Sequence, residues 1–374
     1  VLGRLTVIAL ALALLPACRG TGFDSSSRRA KPATARSTRI RQPVDKVGYT
    51  HAAAGIEKVV AHAARLEAGQ LAGRQLGTFS GAISPHDDYQ YAQRVYVHLY
   101  PHVAAKDVVL IGVAHKARRF PETEGKLVFD GFDAWRGPYG PVSISPLRQE
   151  LLAGLRRRAG RDAVVVNDEL QAMEHSVEAM VPFLQHRRRD VRIVSILVPY
   201  VSWDRLARLA RAAADVLART MRARKLALGR DVAILISADL VHYGDQGWGG
   251  KSHADFGVDR KGYERAVARD REMIDQHLSG PIALERLGDL YHKLVQEDFH
   301  EYRITWCGRF SIPFGLALLK QTAVQLGRPR PGGVLLRYGT TLDPGRSDPG
   351  VAGLGVTGPA HLRHWVSFAA VGYR

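Results

Sequence analysis

Asp107–Val113, Arg192–Val198 and Asp231–Ile236 are short runs in which almost every side chain is apolar, and segments of helical periodicity separate them. A strand that is apolar on both faces must be covered on both faces, the situation of parallel sheets with helical crossovers. The alternation predicts an α/β chain: a mostly parallel central sheet flanked by helices on both faces. No segment repeats at a fixed period, which excludes a solenoid. With 374 residues and 46% hydrophobic content, there is ample material for the core of one such domain.

The pattern predicts helices over 51–72, 91–100, 146–159, 174–186, 203–222, 256–278, 284–296 and 308–326. It predicts strands over 79–83, 108–113, 163–166, 192–198, 231–236, 334–338 and 365–373. The stretch 117–145, with several Gly and Pro, reads as a hairpin-like insertion.

The first residues stand apart from this domain. Arg4 precedes an apolar stretch, Leu5–Leu15, that is too short to span a bilayer and closes on Leu15-Pro16-Ala17-Cys18. This is similar to a bacterial lipoprotein signal over residues 1–18, and predicts an exported, membrane-anchored protein lipidated on Cys18. Ordinary signal cleavage and a buried N-terminal helix are the alternatives. Residues 19–46, rich in Ser, Thr, Arg, Lys and Pro, read as a disordered basic tether, and 47–374 as a single domain.

Residues 1–46 carry nine Lys/Arg against two Asp, and so supply +7 of the formal +17. The remainder is spread through Arg-rich helices such as 203–222. No nucleic-acid motif and no aromatic–basic stripe accompanies the charge, so no specific nucleic-acid partner is expected. A solvated helix face, or attraction to anionic lipid, accounts for it. With Cys18 lipidated or removed, Cys307 has no intrachain partner. A lone thiol in an oxidising compartment needs to be buried, metal-bound or reactive.

Three strand-like runs end on histidines: Thr78–Ile83 before His86, Asp107–Val113 before His115, and Asp231–Ile236 before Asp239 and His242. The carboxyl ends of parallel strands share one edge, where ligands bind. Cys307 lies in Trp306-Cys307-Gly308-Arg309, and a thiolate beside imidazoles suits a metal or redox site. Asp87 and Asp88 can orient the His86 ring or add an oxygen ligand. Glu174-His175-Ser176-Val177-Glu178 reads as the opening of a helix, with carboxylates matched to its dipole and His175 within reach of the sheet edge. Asp239 and His242, three apart, share one face if their segment turns helical. Each of these residues alone also has a purely structural reading.

Together they resemble a family in order and spacing. Ser84-Pro85-His86-Asp87-Asp88-Tyr89, Ile111-Gly112-Val113-Ala114-His115, Glu174-His175-Ser176-Val177-Glu178 and Pro182-Phe183-Leu184 match the Memo-like proteins, also called AmmeMemoRadiSam system protein B. So do Ser237-Ala238-Asp239-Leu240-Val241-His242-Tyr243, Cys307-Gly308 and Phe368-Ala369-Ala370-Val371-Gly372-Tyr373, and the resemblance covers roughly 78–373. It implies a fold like the class III extradiol dioxygenase (LigB-type) catalytic subunit, whose non-haem iron sits at this sheet edge. Carried over by position, the metal ligands are His86, His115 and Cys307, with Asp239 and His242 nearby. The family usually has Ala-Gly-Tyr after its first histidine and Gly-Pro-Ser or Gly-Pro-Asn before its second. Here Asp87-Asp88-Tyr89 and Val113-Ala114 stand instead.

Two functions follow as expectations. One is a metal-dependent redox or dioxygenase-like site holding iron or copper, with His175, His242 and Asp239 as catalytic groups moving protons. The other is a non-catalytic scaffold whose vestigial pocket binds a small molecule or a protein.

Overall fold

The computed structural model describes residues 38–374, which form one compact unit. The expectations placed on Leu5–Cys18 and on residues 19–37 lie outside the described residues. Among the described residues no helix is long and apolar enough to cross a membrane.

The centre of the sheet is parallel, in the spatial order Arg192–Val198, Asp107–Val113, Val232–Ser237 and Gly81–Ser84. Gly140–Ile144 continues it in parallel beside Arg192–Val198. Antiparallel pairs then close both flanks. Ala134–Gly137 pairs with Gly140–Ile144 on one side. On the other, His364–Tyr373 pairs with Gly81–Ser84, followed by Gly332–Thr340 and Gly280–Pro281. The fold is therefore α/β with a mixed sheet, parallel at its centre.

Side chains alternate between the two faces of a strand, and the central strands feed two cores. Val109, Ile111, Val194, Ile196, Ile234 and Ile236 pack into one, with the helices Leu147–Ala159, Trp203–Ala223 and Ser311–Gln325. Val108, Leu110, Ile193, Leu197, Ala233 and Leu235 enter the other, with Ala53–Leu66, Tyr89–Tyr96 and Val181–Arg187. Each such Val, Leu or Ile side chain contributes about 1.5–3 kcal/mol of burial. Gly315 lets its helix close on the sheet, since a Cβ there would lie 2.4 Å from Ile236 Cγ1. In Trp203–Ala223 the apolar stripe is buried while Arg208, Arg211, Arg219 and Arg222 are exposed, so this part of the positive charge is a solvated helix face.

Four expectations are corrected. The predicted helix 174–186 is broken. Asp168–Met173 is helical with Asn167 as its cap, Glu174 is extended, and the next α-helix begins only at Val181. The cause is tertiary, because the Glu174 carboxylate is occupied across the chain, as described below. Asp239–His242 makes no helical turn, because His242–Gly244 is a strand paired with His364–Val366. Within 117–145 only Ala134–Gly137 and Gly140–Ile144 form a hairpin. Leu127–Phe129 pairs instead with Val164–Val166 and Arg192–Val198. Finally, residues 38–46 of the expected tether are ordered: Ile40–Arg41 adds a strand beside Ala134–Gly137, and Arg41 is 2% exposed.

Candidate metal centre

The carboxyl ends of the central strands place His86, His115 and Asp239 together, and Cys307 meets them from the turn before helix Ser311–Gln325. One ligand atom each from His86, His115 and Cys307 lie within 4.8 Å of one another. His86 and Cys307 are buried, and His115 is half-buried at the floor of a cleft of about 790 Å³.

The hydrogen bonds fix which ring nitrogens are free. Ser237 Oγ donates its one proton to the Ser176 carbonyl at 2.6 Å, so His86 Nδ1 at 2.7 Å must be the donor to Ser237 Oγ. That leaves His86 Nε2 as a bare lone pair, 3.5 Å from Cys307 Sγ and 3.3 Å from Asp239 Oδ2. Three electron-rich atoms facing one another need a proton or a cation between them. Burial pushes the Asp239 carboxyl up to about 7, and burial, with the neighbouring His115, holds His86 well below the usual imidazole range. A proton held on Asp239 Oδ2 would face the His86 Nε2 lone pair across that 3.3 Å gap. The Cys307 thiol is pushed up by burial and by Asp239; it donates to the Asp239 carbonyl at 3.3 Å and accepts the Asp239 amide at 3.1 Å.

His115 is oriented by a carboxylate. Glu174 Oε1 accepts His115 Nδ1–H at 2.8 Å and the Ser176 amide at 2.9 Å, while Oε2 accepts the His115 amide at 2.7 Å. Burial alone would raise the Glu174 carboxyl, but His115 and these donors hold it at about 2. Burial likewise opposes charge on His115, and Glu174 more than reverses this. His115 Nε2 is left for a ligand. A second grouping, His115, Glu174 and His175, is also compact. With its oxygens already holding these donors, Glu174 acts there as the orienter of an imidazole, an arrangement common behind metal-bound histidines.

The donor set thus fits a metal ion: two imidazole lone pairs, each backed by a hydrogen bond at the other nitrogen, and a sulfur flanked by an amide donor. Glu174→Gln is expected to weaken metal binding about 10- to 100-fold, as loss of such an orienting carboxylate does. Competition with a chelator measures it, and unchanged affinity would remove Glu174 from the site.

The remaining residues line the same cleft. The His175 ring stacks on His115 (4.7 Å, 9°) and stands edge-on to His86 at 5.6 Å. His242 Nδ1 faces the Leu240 and Thr305 carbonyls at 3.2 and 3.3 Å, which leaves Nε2 free. Burial pulls His242 down to about 4. The carboxylates next to His86 do not orient its ring, contrary to expectation; Ser237 does. Asp88 accepts from Thr357 Oγ1 and the Thr357 amide, and Asp87 lines the cleft. Sequence reasoning missed Ser237 as the orienter of His86. It also missed the rim formed by Trp248 stacked on His364 at 4.1 Å.

A buried carboxylate braces the walls. Asp270, on helix Arg260–Met273, accepts from Trp306 Nε1 at 2.8 Å, from Tyr338 OH at 3.2 Å and from Ser367 Oγ. Ser367 Oγ in turn accepts the Val241 amide at 3.0 Å. Asp270 thus ties the residue before Cys307 to the residue before His242.

The family model described as "Memo-like protein" matches residues 50–342. A MEMO1 family protein of Methanopyrus kandleri is 29% identical over 274 residues, 71% of this chain and 78% of that protein. One of Methanococcoides burtonii is 26% identical over 276 residues, 73% of this chain and 83% of its own length. With a relative from Methanosarcina barkeri the identity is 30% over 166 residues, 44% of this chain, and the chain spans only 54% of that relative. The chain belongs to the Memo-like protein family.

Proposed function

We propose that the protein is a metal-dependent redox protein whose ion is held by His86, His115 and Cys307, with the cleft above them as the substrate site. The observation that carries this reading is the approach of three ligand atoms to within 4.8 Å, two of them buried. Two imidazoles and a thiolate favour a soft ion such as copper, and iron is the other candidate, suggested by the dioxygenase likeness. Family membership and a parallel-centred sheet with its donors at the carboxyl edge support a fold like the class III extradiol dioxygenase catalytic subunit. When bound, the ion would supply Lewis acidity and an electron-transfer centre.

The surrounding residues handle protons and orientation. Ser237 and Glu174 hold the two ligand imidazoles in one tautomer each. Asp239, pushed to about 7 by burial, holds or releases a proton at Oδ2 near neutral pH. Burial keeps His175 and His242 neutral, and His242 Nε2 is the free acceptor facing the cleft. His242 is the general base on this reading, with His175 stacked against the ligand ring as the second proton carrier.

Reconstitution under anaerobic conditions with Cu(I) or Fe(II), followed by metal analysis and oxygen uptake with catechol-type substrates, tests it. About one ion per chain is expected, with oxygen uptake lost in His242→Ala while the ion is retained. Failure to retain either ion would sink the metal reading. A retained ion without turnover would leave a binding scaffold.

A further inference from the structure

Residues 38–49 precede the stretch matched by the family model, yet they are built into the site. Val44, Asp45 and Tyr49 line the cleft. Tyr49 OH donates to the His86 carbonyl, so this strap touches the loop that carries one ligand. Arg41 touches the other. Its guanidinium lies over the Trp135 ring at 4.4 Å, pairs with buried Glu178, and donates from Nη2 to the Glu174 carbonyl at 2.5 Å. Nε and Nη2 also reach the Gln171 carbonyl, each at 3.3 Å. Glu178 is shared with the strap, since it accepts the Val44 amide at 2.9 Å and the Asp45 amide at 3.0 Å. One planar fork thereby clamps the link 174–177 between the end of helix Asp168–Met173 and Glu178, and the Glu174 carboxylate in that link sets the His115 ring. A lysine cannot make the same set of bonds from a single ammonium.

We infer that Arg41 is a positioning residue of the metal centre, acting through Glu174 on His115, and that docking of the 38–49 strap is coupled to metal binding. The inference rests on the metal-binding reading given above. Coupling is reciprocal: if the docked strap improves the site for the ion, the ion must hold the strap down. A cut or a pull on the preceding segment would then be felt as a change in metal affinity.

Co(II) is the probe, because its visible ligand-field spectrum reports ligand geometry. Changing Arg41→Gln together with Glu178→Gln avoids leaving a buried carboxylate unpaired. The double variant is expected to bind Co(II) about tenfold or more weakly, with a shifted spectrum. Arg41→Lys is expected to fall between it and the wild type. Lys46 is exposed in the strap and offers a trypsin site in otherwise unaltered protein. Cleavage there should slow by about fivefold or more on Co(II) loading, the size of a modest coupling. If the variants merely melt earlier, with wild-type Co(II) affinity and spectrum, Arg41 is structural and the inference is overturned. Cleavage at Lys46 that ignores Co(II) overturns the coupling. Wild-type protein that takes up no Co(II) overturns this inference, and if it also retains neither Cu(I) nor Fe(II) the metal-binding reading falls with it.

Discussion

Cys307→Ser protein is expected to lose metal affinity by about a hundredfold or more while keeping its fold. A serine hydroxyl is a poor ligand for a soft ion, whereas a thiolate is a strong one. The fold should tolerate the change, because the hydroxyl can still donate to the Asp239 carbonyl and accept the Asp239 amide, as the thiol does. The stability cost is then about 1 kcal/mol, the worth of a weakened hydrogen bond. His86→Ala should lose the ion as well, but at a larger structural cost. It empties a site 3% exposed and leaves Ser237 Oγ without its donor, for about 2–4 kcal/mol. The two effects separate in thermal melts. An ion present at about a thousand times its dissociation constant stabilises the fold by about 4 kcal/mol. Metal should therefore raise the melting temperature of the wild type most, with Cys307→Ser keeping about a third of that stabilisation or less, about 1.4 kcal/mol for a hundredfold loss, and His86→Ala similarly reduced. A Cys307→Ser protein that retained the wild-type metal-dependent shift would take Cys307 out of the ligand set.

What was legible in the sequence was local. Asp107–Val113 and Arg192–Val198 are strands over those same residues because an apolar run bounded by polar residues needs no distant partner to be recognised. The gathering of His86, His115 and Cys307 followed from strand ends and family spacing. What stayed illegible depends on contacts far apart in the chain. Glu174-His175-Ser176-Val177-Glu178 is made of residues a helix accepts, and its break is set by Glu174 binding His115, 59 residues away. Ser237 is an ordinary strand residue until His86, 151 residues distant, donates to it. Residues 38–46 have the composition of a tether, but Arg41 finds a buried carboxylate 137 residues later and is drawn into the sheet. Burial of a single arginine is invisible to composition. The extra acids Asp87 and Asp88 were legible as residues but not in their roles, since Asp88 is used to hold Thr357.

Asp270→Asn should flatten the pH dependence of stability. Burial raises the Asp270 carboxyl from the ordinary 3.8 to about 6, against the three donors that favour its charge. The folded state therefore binds this proton more tightly than the unfolded chain. Its stabilising contribution is complete below the unfolded value and is lost as pH rises through the folded value. Two units correspond to about 3 kcal/mol lost between roughly pH 3 and 7. Asparagine carries no such proton. Its oxygen can accept from Trp306 Nε1, and its amide can donate to the Ser367 and Tyr338 hydroxyls, which are able to reverse their roles. Relative to the wild type, the Asn protein should thus gain about 2 kcal/mol between pH 4.5 and 7.5, measured by urea unfolding at both values. Asp270→Ala should behave differently, because it strands Trp306 Nε1 and two buried hydroxyls at every pH, for about 3 kcal/mol or more. Parallel pH profiles for the Asp and Asn proteins would show that this carboxyl does not titrate in that range. The same pair bears on the metal centre. If Asp270 acts by bracing Trp306 against Ser367, Asn keeps the brace and should keep Cys307 in place, so metal affinity should survive in Asp270→Asn and fall in Asp270→Ala.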